Sequence, residues 1–258
     1  MLVRRIARED WWKIGALTAI LLTNMIATVF AYPTFQANYG MLMNLVPSFM
    51  GFVKNALNEA GKGGLPVFMA VNHFFKGANV IGPAAAIVLA LGTVVREVEI
   101  GSIGLLLSRP VSRRRILWTF AACHLVELMV PLFLVSALIP FVSSHAIDKE
   151  VALAPLLVAT VHAAAFIAAI YSIALLAAVV FAEQIRVAAF AGGVCIVSFM
   201  LYFIDATRPY TLYALSSIEG YMSMARGDPM PLAKFAGCIA IAITGISAAT
   251  ALFERKDY

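Results

Sequence analysis

The chain has 258 residues, of which 62% are hydrophobic and 13% charged, and its mean hydropathy is +0.90. Soluble domains carry about 45–50% apolar and about 25% charged residues, so this composition excludes a soluble enzyme or binding module and indicates a protein integral to a membrane. The net charge of +5 and pI near 9.2 fit lysines and arginines gathered on cytoplasmic segments; no nucleic-acid partner is expected.

The N-terminal stretch "MLVRRIAREDWWK" places Leu2, Val3 and Ile6 on one side of a helix, with Arg4, Arg5, Arg8 and Glu9 around the other. Trp11 and Trp12 follow where an aromatic belt belongs. This predicts an amphipathic helix lying along the inner leaflet, with Arg4, Arg5, Trp11 and Trp12 as interfacial anchors. The long apolar run after it reads as a retained span rather than a cleaved signal peptide.

A spanning helix needs about 20 mostly apolar residues. Six candidates follow, at about 11–32, 80–95, 116–142, 151–181, 187–204 and 232–253, in one membrane domain covering 1–258. Six spans put both termini on one side. That side holds Arg4, Arg5, Arg8, Lys13, Arg96, Arg109, Arg113, Arg114, Arg115, Arg186, Arg255 and Lys256, twelve cations against seven opposite. The imbalance predicts cytoplasmic termini in a cell (inner) membrane.

The first outer loop, 33–79, is too long for a turn. Leu45, Val46, Phe49, Met50, Val53, Ala56 and Leu57 recur at helical spacing with Ser48, Lys54, Asn55 and Asn58 opposite, which predicts an amphipathic interfacial helix. A second short helix, about 65–75, is expected to lead into span two. Together they read equally as a plug on the bundle or as a substrate gate.

Past span two the chain continues as "REVEIGSIGLLLSRPVSRRRILW". Glu97 and Glu99 are charged, Leu105, Leu106 and Leu107 are not, and Pro110 ends the helix because it lacks an N–H and disfavours helical geometry at Arg109. Ser112 is placed to cap a new helix entering span three. Orientation by positive charge explains the arginines alone; it does not explain the leucine patch or the sharp turn.

Span three carries His124 and Glu127, three residues apart on one helix face. At 1.5 Å per residue, Glu127 lies about 18 Å beyond Arg115, near the middle of a roughly 30 Å core. Buried polar residues in lipid are costly and usually have a partner or line a pathway. An internal hydrogen-bonded pair and a polar element of a translocation path both fit, with Asn24 and His162 as weaker path candidates. Span four is alanine-rich and "FAGG" opens span five, which allows close helix packing inside the chain or between copies. The last outer loop, 205–231, offers Tyr213, Leu215, Ile218 and Met222 as one face of a short helix.

Motifs of catalysis and phosphate binding are missing: there is no G-x-S-x-G, H-E-x-x-H or G-x-x-x-x-G-K-[ST]. Cys123, Cys195 and Cys238 sit in apolar runs, and His73, His124, His145 and His162 lack ligand spacing. Neither a catalytic site nor a metal is expected.

The phrase "EIGSIGLLLSRPVSRRRIL" resembles the signature between spans two and three of ABC-2 type permeases, the membrane subunits of one class of ATP-binding-cassette exporter. The similarity extends to the branch that includes the permease of the nitrous-oxide-reductase maturation system. It implies an all-α integral membrane fold of six spans with an N-terminal interfacial helix, a cytoplasmic coupling helix and structured outer loops. It implies that two permeases pair, as a homodimer or related heterodimer, each on a cytoplasmic nucleotide-binding ATPase subunit. ATP and Mg would then be held by that partner, with no cofactor on this chain. Carried onto this sequence, Glu97, Glu99, Ser102, Leu105, Leu106, Leu107, Ser108, Arg109, Pro110, Val111, Ser112 and Arg113 would be the coupling region. Many relatives have an acidic residue near Gly104, where this chain reads "GSIG". An extracytoplasmic partner and membrane lipid complete the implied contacts. A membrane scaffold and an ATP-independent transporter or channel are the alternatives; the second should show internal repeats, and none is found.

Overall fold

The computed structural model describes residues 2–45, 51–108 and 110–256. Among them there is no strand, and six helical stretches are long and apolar enough to cross a membrane. The sequence-based helix predictions at Val46, Ser48, Phe49 and Met50, and the turn residue Arg109, lie outside the described residues.

Helix α1 runs unbroken from Leu2 to Ala37. At 1.5 Å per residue it is about 54 Å long, so the expected interfacial helix is not a separate element but the first turns of the span. No glycine or proline interrupts residues 2–12, and an Arg5–Glu9 pair at 2.8 Å supports the helix there. Short helices α2 (Tyr39–Leu45) and α3 (Gly51–Lys62) follow. In α3 the buried Ala56 and Ala60 face the protein, and Tyr39 Oη donates to Asn58 Oδ1 at 2.7 Å.

Span two is longer than its apolar run suggested. Helix α4 (Gly64–Met69) passes into a π-helical segment, Ala70–Ala78, and then into α5 (Asn79–Leu91). The helix expected at 65–75 is thus the outer half of the same rod, and Asn79 is an interior residue of it. After an interruption at Gly92–Thr93 come α6 (Val94–Glu99) and α7 (Ile103–Leu107). Gly101 at φ +73° makes the turn between them, a conformation that favours glycine.

Helices α8 (Arg113–Ile147), α9 (Leu153–Val180), α10 (Gln184–Tyr202) and α12 (Leu232–Arg255) supply the other four spans, with α11 (Ile218–Ala225) in the last outer loop. Ser112 caps α8 as its position predicts, its Oγ accepting from the Arg115 N–H at 3.3 Å.

Helix α9 is the central pillar: 83% of its most apolar stretch is buried, against 28% for α1, α10 and α12. Its alanines permit this, because small side chains let backbones approach without a cavity. Gly245 of α12 rests directly on Ser172 of α9, whose hydroxyl donates to the Ile241 carbonyl at 3.1 Å. Gly82 of α5 packs on Ile167 in the same way.

Candidate functional site

The third and fourth turns of α1 carry Asp10 and Lys13, three residues apart, with Lys13 Nζ 2.5 Å from Asp10 Oδ1. Asp10 is buried because α1 lies along α8, which presents His124 and Glu127 from one face. His124 Nε2 stands 3.3 Å from Asp10 Oδ2, and His124 Nδ1 is 3.0 Å from the hydroxyl of Tyr171 on α9. One atom each of Asp10, His124 and Glu127 lies within 4.8 Å of the others, and all three residues are buried. Glu127 Oε2 has no hydrogen-bond partner among the described residues.

This geometry corrects one expectation: His124 stands beside Asp10 and Tyr171 and makes no hydrogen bond to Glu127. Its neighbour Asp10 immediately precedes Trp11 and Trp12, toward the arginine-rich start of α1.

Glu127 also borders a groove of about 380 Å³ between α1 and α5. Trp12, Leu17 and Ile20 form one wall and Ala84, Val88 and Leu89 the other, with Lys13 and Glu127 as its charged residues. The other two path candidates lie elsewhere. Asn24 points its Oδ1 at Gly77 of the π-helical segment, where a β-carbon would collide with it. His162 Nε2 is 3.0 Å from the Leu215 carbonyl of the outer loop. The structure therefore joins His124 and Glu127, but not Asn24 or His162, to one site.

The turn region is a braced elbow. Glu97 is 3% exposed and accepts from Arg5 at 2.6 Å and from the Ser102 hydroxyl at 2.5 Å. Arg96 reaches Glu9 at 3.1 Å, and Gln184 Nε2 donates to Glu99 at 2.5 Å. Ser108 Oγ donates back to the Leu105 carbonyl at 3.1 Å, and Leu107 is half-buried. Leu106 is 2% exposed, so it anchors the elbow instead of adding to its outer face; Leu105, Ile100 and Val111 remain exposed there, beside exposed Pro110. Arg113 donates to the Phe253 and Lys256 carbonyls at 3.2 and 2.5 Å, tying the start of α8 to the end of α12. Of the anchors, Arg4, Trp11 and Trp12 are exposed, whereas Arg5 is half-buried in its ion pairs.

Comparison with known families decides the framework. Residues 5–218 match the family described as ABC-2 family transporter protein. The chain belongs to the ABC-2 transporter family. A comparison with curated proteins found no match. ABC-2 permeases are multi-pass membrane proteins, typically the non-catalytic component working with an ATPase subunit.

Two features of this ABC-2 permease had little sequence signal. Asp10 lay in a charged stretch that read as surface, and its burial depends on a distant helix. Asn79 read as the last residue of the first outer loop, yet it organises that end of the bundle. Its Nδ2 donates to the Ser216 carbonyl and hydroxyl at 3.1 and 2.9 Å, and its Oδ1 accepts from Tyr221 at 3.0 Å. Tyr213 donates to the Asn79 carbonyl at 3.0 Å. The loop is thereby clamped as a cap onto the π-helical end of span two. Burial raises the Tyr213 and Tyr221 hydroxyls above the ordinary tyrosine value.

Proposed function

We propose that this ABC-2 permease is the membrane subunit of an ATP-driven exporter in the cell (inner) membrane, with cytoplasmic termini. It pairs with a second permease copy, and each copy sits on a nucleotide-binding ATPase subunit that holds ATP and Mg. The carrying observation is the elbow. Ile100 and Leu105, 60% and 75% exposed, project from a turn whose inner side is fixed by Glu97 and Leu106. An apolar outer face on a rigid base is suited to receive a push from a partner and pass it on.

The route inward is short. Glu97 is bonded to Arg5 on α1, and five residues on, Asp10 begins the cluster that borders the α1–α5 groove. Displacement of the elbow thus acts on a groove wall. The groove's lining is almost wholly apolar, with Leu17, Val88 and Leu89 among it, which suits an apolar substrate body. The similarity to the nitrous-oxide-reductase maturation branch belongs to this proposal, as does an extracytoplasmic partner at the outer cap.

Purification in mild detergent from the native host tests the reading. A Walker-motif ATPase should be recovered in equal amount, and the paired substitutions Ile100→Asp and Leu105→Asp should release it while the permease stays folded. A fully active transporter that lacks any ATPase would overturn the proposal.

A further inference from the structure

We propose that Asp10, His124 and Glu127 form a binding site for one divalent transition-metal ion of the zinc and cobalt class, a metal clamp between spans one and three. The three donors converge, with ligand atoms all within 4.8 Å of one another. The separation of His124 Nε2 from Asp10 Oδ2 is 3.3 Å. Metal–nitrogen and metal–oxygen bonds of about 2.0–2.2 Å in a tetrahedron put neighbouring donor atoms about 3.3–3.6 Å apart, and this edge lies at the short end of that range.

His124 Nε2 faces Asp10 Oδ2 at 3.3 Å without the geometry of a hydrogen bond. His124 Nε2 and Glu127 Oε2 both lack a hydrogen-bond partner among the described residues, although His124 is 0% and Glu127 6% exposed. Two buried polar atoms left without partners are costly, and a shared cation satisfies both at once. Their remaining atoms are held in the way metal ligands usually are. The second ring nitrogen of His124 meets the Tyr171 hydroxyl at 3.0 Å, an arrangement that fixes the imidazole and leaves Nε2 to the metal. The other oxygen of Asp10 is held by Lys13 at 2.5 Å. That lysine offsets one carboxylate, and the second carboxylate with the dication leaves the site at +1.

The donor set selects the ion. One imidazole and two carboxylates suit zinc, cobalt or manganese. Calcium prefers six to eight oxygens, and magnesium an octahedron of oxygen and water; three protein donors including a nitrogen match neither. Glu127 also borders the α1–α5 groove.

The clamp is independent of the ATPase reading, since it is measured on the permease alone. The full-length protein is purified in detergent, stripped with a chelator, and titrated with Co²⁺ and then Zn²⁺, with metal content read by mass spectrometry. The expected result is one Co²⁺ per chain with the visible ligand-field bands of a four-coordinate site, displaced by Zn²⁺. Glu127→Gln, which keeps the side-chain shape, and His124→Asn should each abolish the bands. Tyr171→Phe should retain them with affinity weakened about 10–100-fold. Absence of stoichiometric binding by the wild-type chain would overturn the proposal and leave a proton shared among the acids as the occupant. Unchanged binding in a folded Glu127→Gln variant would overturn it equally.

Discussion

The Glu97 carboxylate lies 2.6 Å from the Arg5 guanidinium, joining the elbow after span two to the first turns of span one. The two residues are 4% and 35% exposed at their side chains, so the acid depends on Arg5 and Ser102 to replace lost water. That dependence ties the elbow to α1.

Removing one partner should therefore do more harm than removing both. Arg5→Ala leaves a buried carboxylate short of a donor, which costs about 1–3 kcal/mol; the double variant Arg5→Ala, Glu97→Gln should recover part of that. The exposed pair Arg186–Glu183 at 2.9 Å serves as the contrast, with an expected effect of about 0–1 kcal/mol. Thermal unfolding of the single and double variants in detergent measures both; additive losses at Arg5 and Glu97 would show that the pair is uncoupled.

Helix approach sets the second expectation. A methyl group at Gly245 would strike the Ser172 side chain, whereas Gly193 has nothing within 4 Å. Gly245→Ala should lower stability by about 1–3 kcal/mol through overpacking. Gly193→Ala should be neutral or stabilising, since alanine favours a helix over glycine by about 1 kcal/mol. Melting temperatures of the two variants should fall on opposite sides of, or well apart from, the parent; equal losses would contradict the packing described.

The outer cap should fail in alkali before the bundle does. Burial raises Tyr213 and Tyr221 in the folded protein above the unfolded value of about 10. A raised acid binds its proton more tightly when folded, so its stabilisation is complete below pH about 10 and is lost as pH climbs above it. Limited proteolysis within 205–231 should accelerate above that pH, and Asn79→Ala should show the same sensitivity at neutral pH by removing the hub of the cap. Protease resistance of the Asn79→Ala loop would contradict this role.

Filling the groove should separate transport from assembly. Ala84 is an exposed wall residue facing α1. Ala84→Phe occupies the space while leaving the elbow untouched, so transport should fall several-fold with ATPase association unchanged. Transport assayed in vesicles alongside co-purification checks both halves; undiminished transport would place the path elsewhere.

Much of this architecture was legible because lipid imposes a simple code. Runs such as 116–142 and 232–253 are predominantly apolar, and Pro110 and Ser112 mark a helix end and a helix start by their own chemistry. The rest depends on contacts between distant segments. Asp10 belongs to a charged stretch, and only the packing of α1 on α8 brings it beside His124. The segment 65–75 read as a separate short helix; nothing in its composition showed that it runs on through the π-helical segment 70–78 into α5 as one rod. Leu106 and Leu105 are chemically equivalent; the turn at Gly101 decides which one faces inward.

The coupling role of the elbow is most directly tested by a photo-crosslinking residue at Leu105 in the native host. It should give a light-dependent adduct with a Walker-motif ATPase, absent from the same probe at Tyr210, which is 89% exposed in the 205–231 loop. A chain that transports actively while the Leu105 probe captures only lipid or another copy of itself would contradict the account.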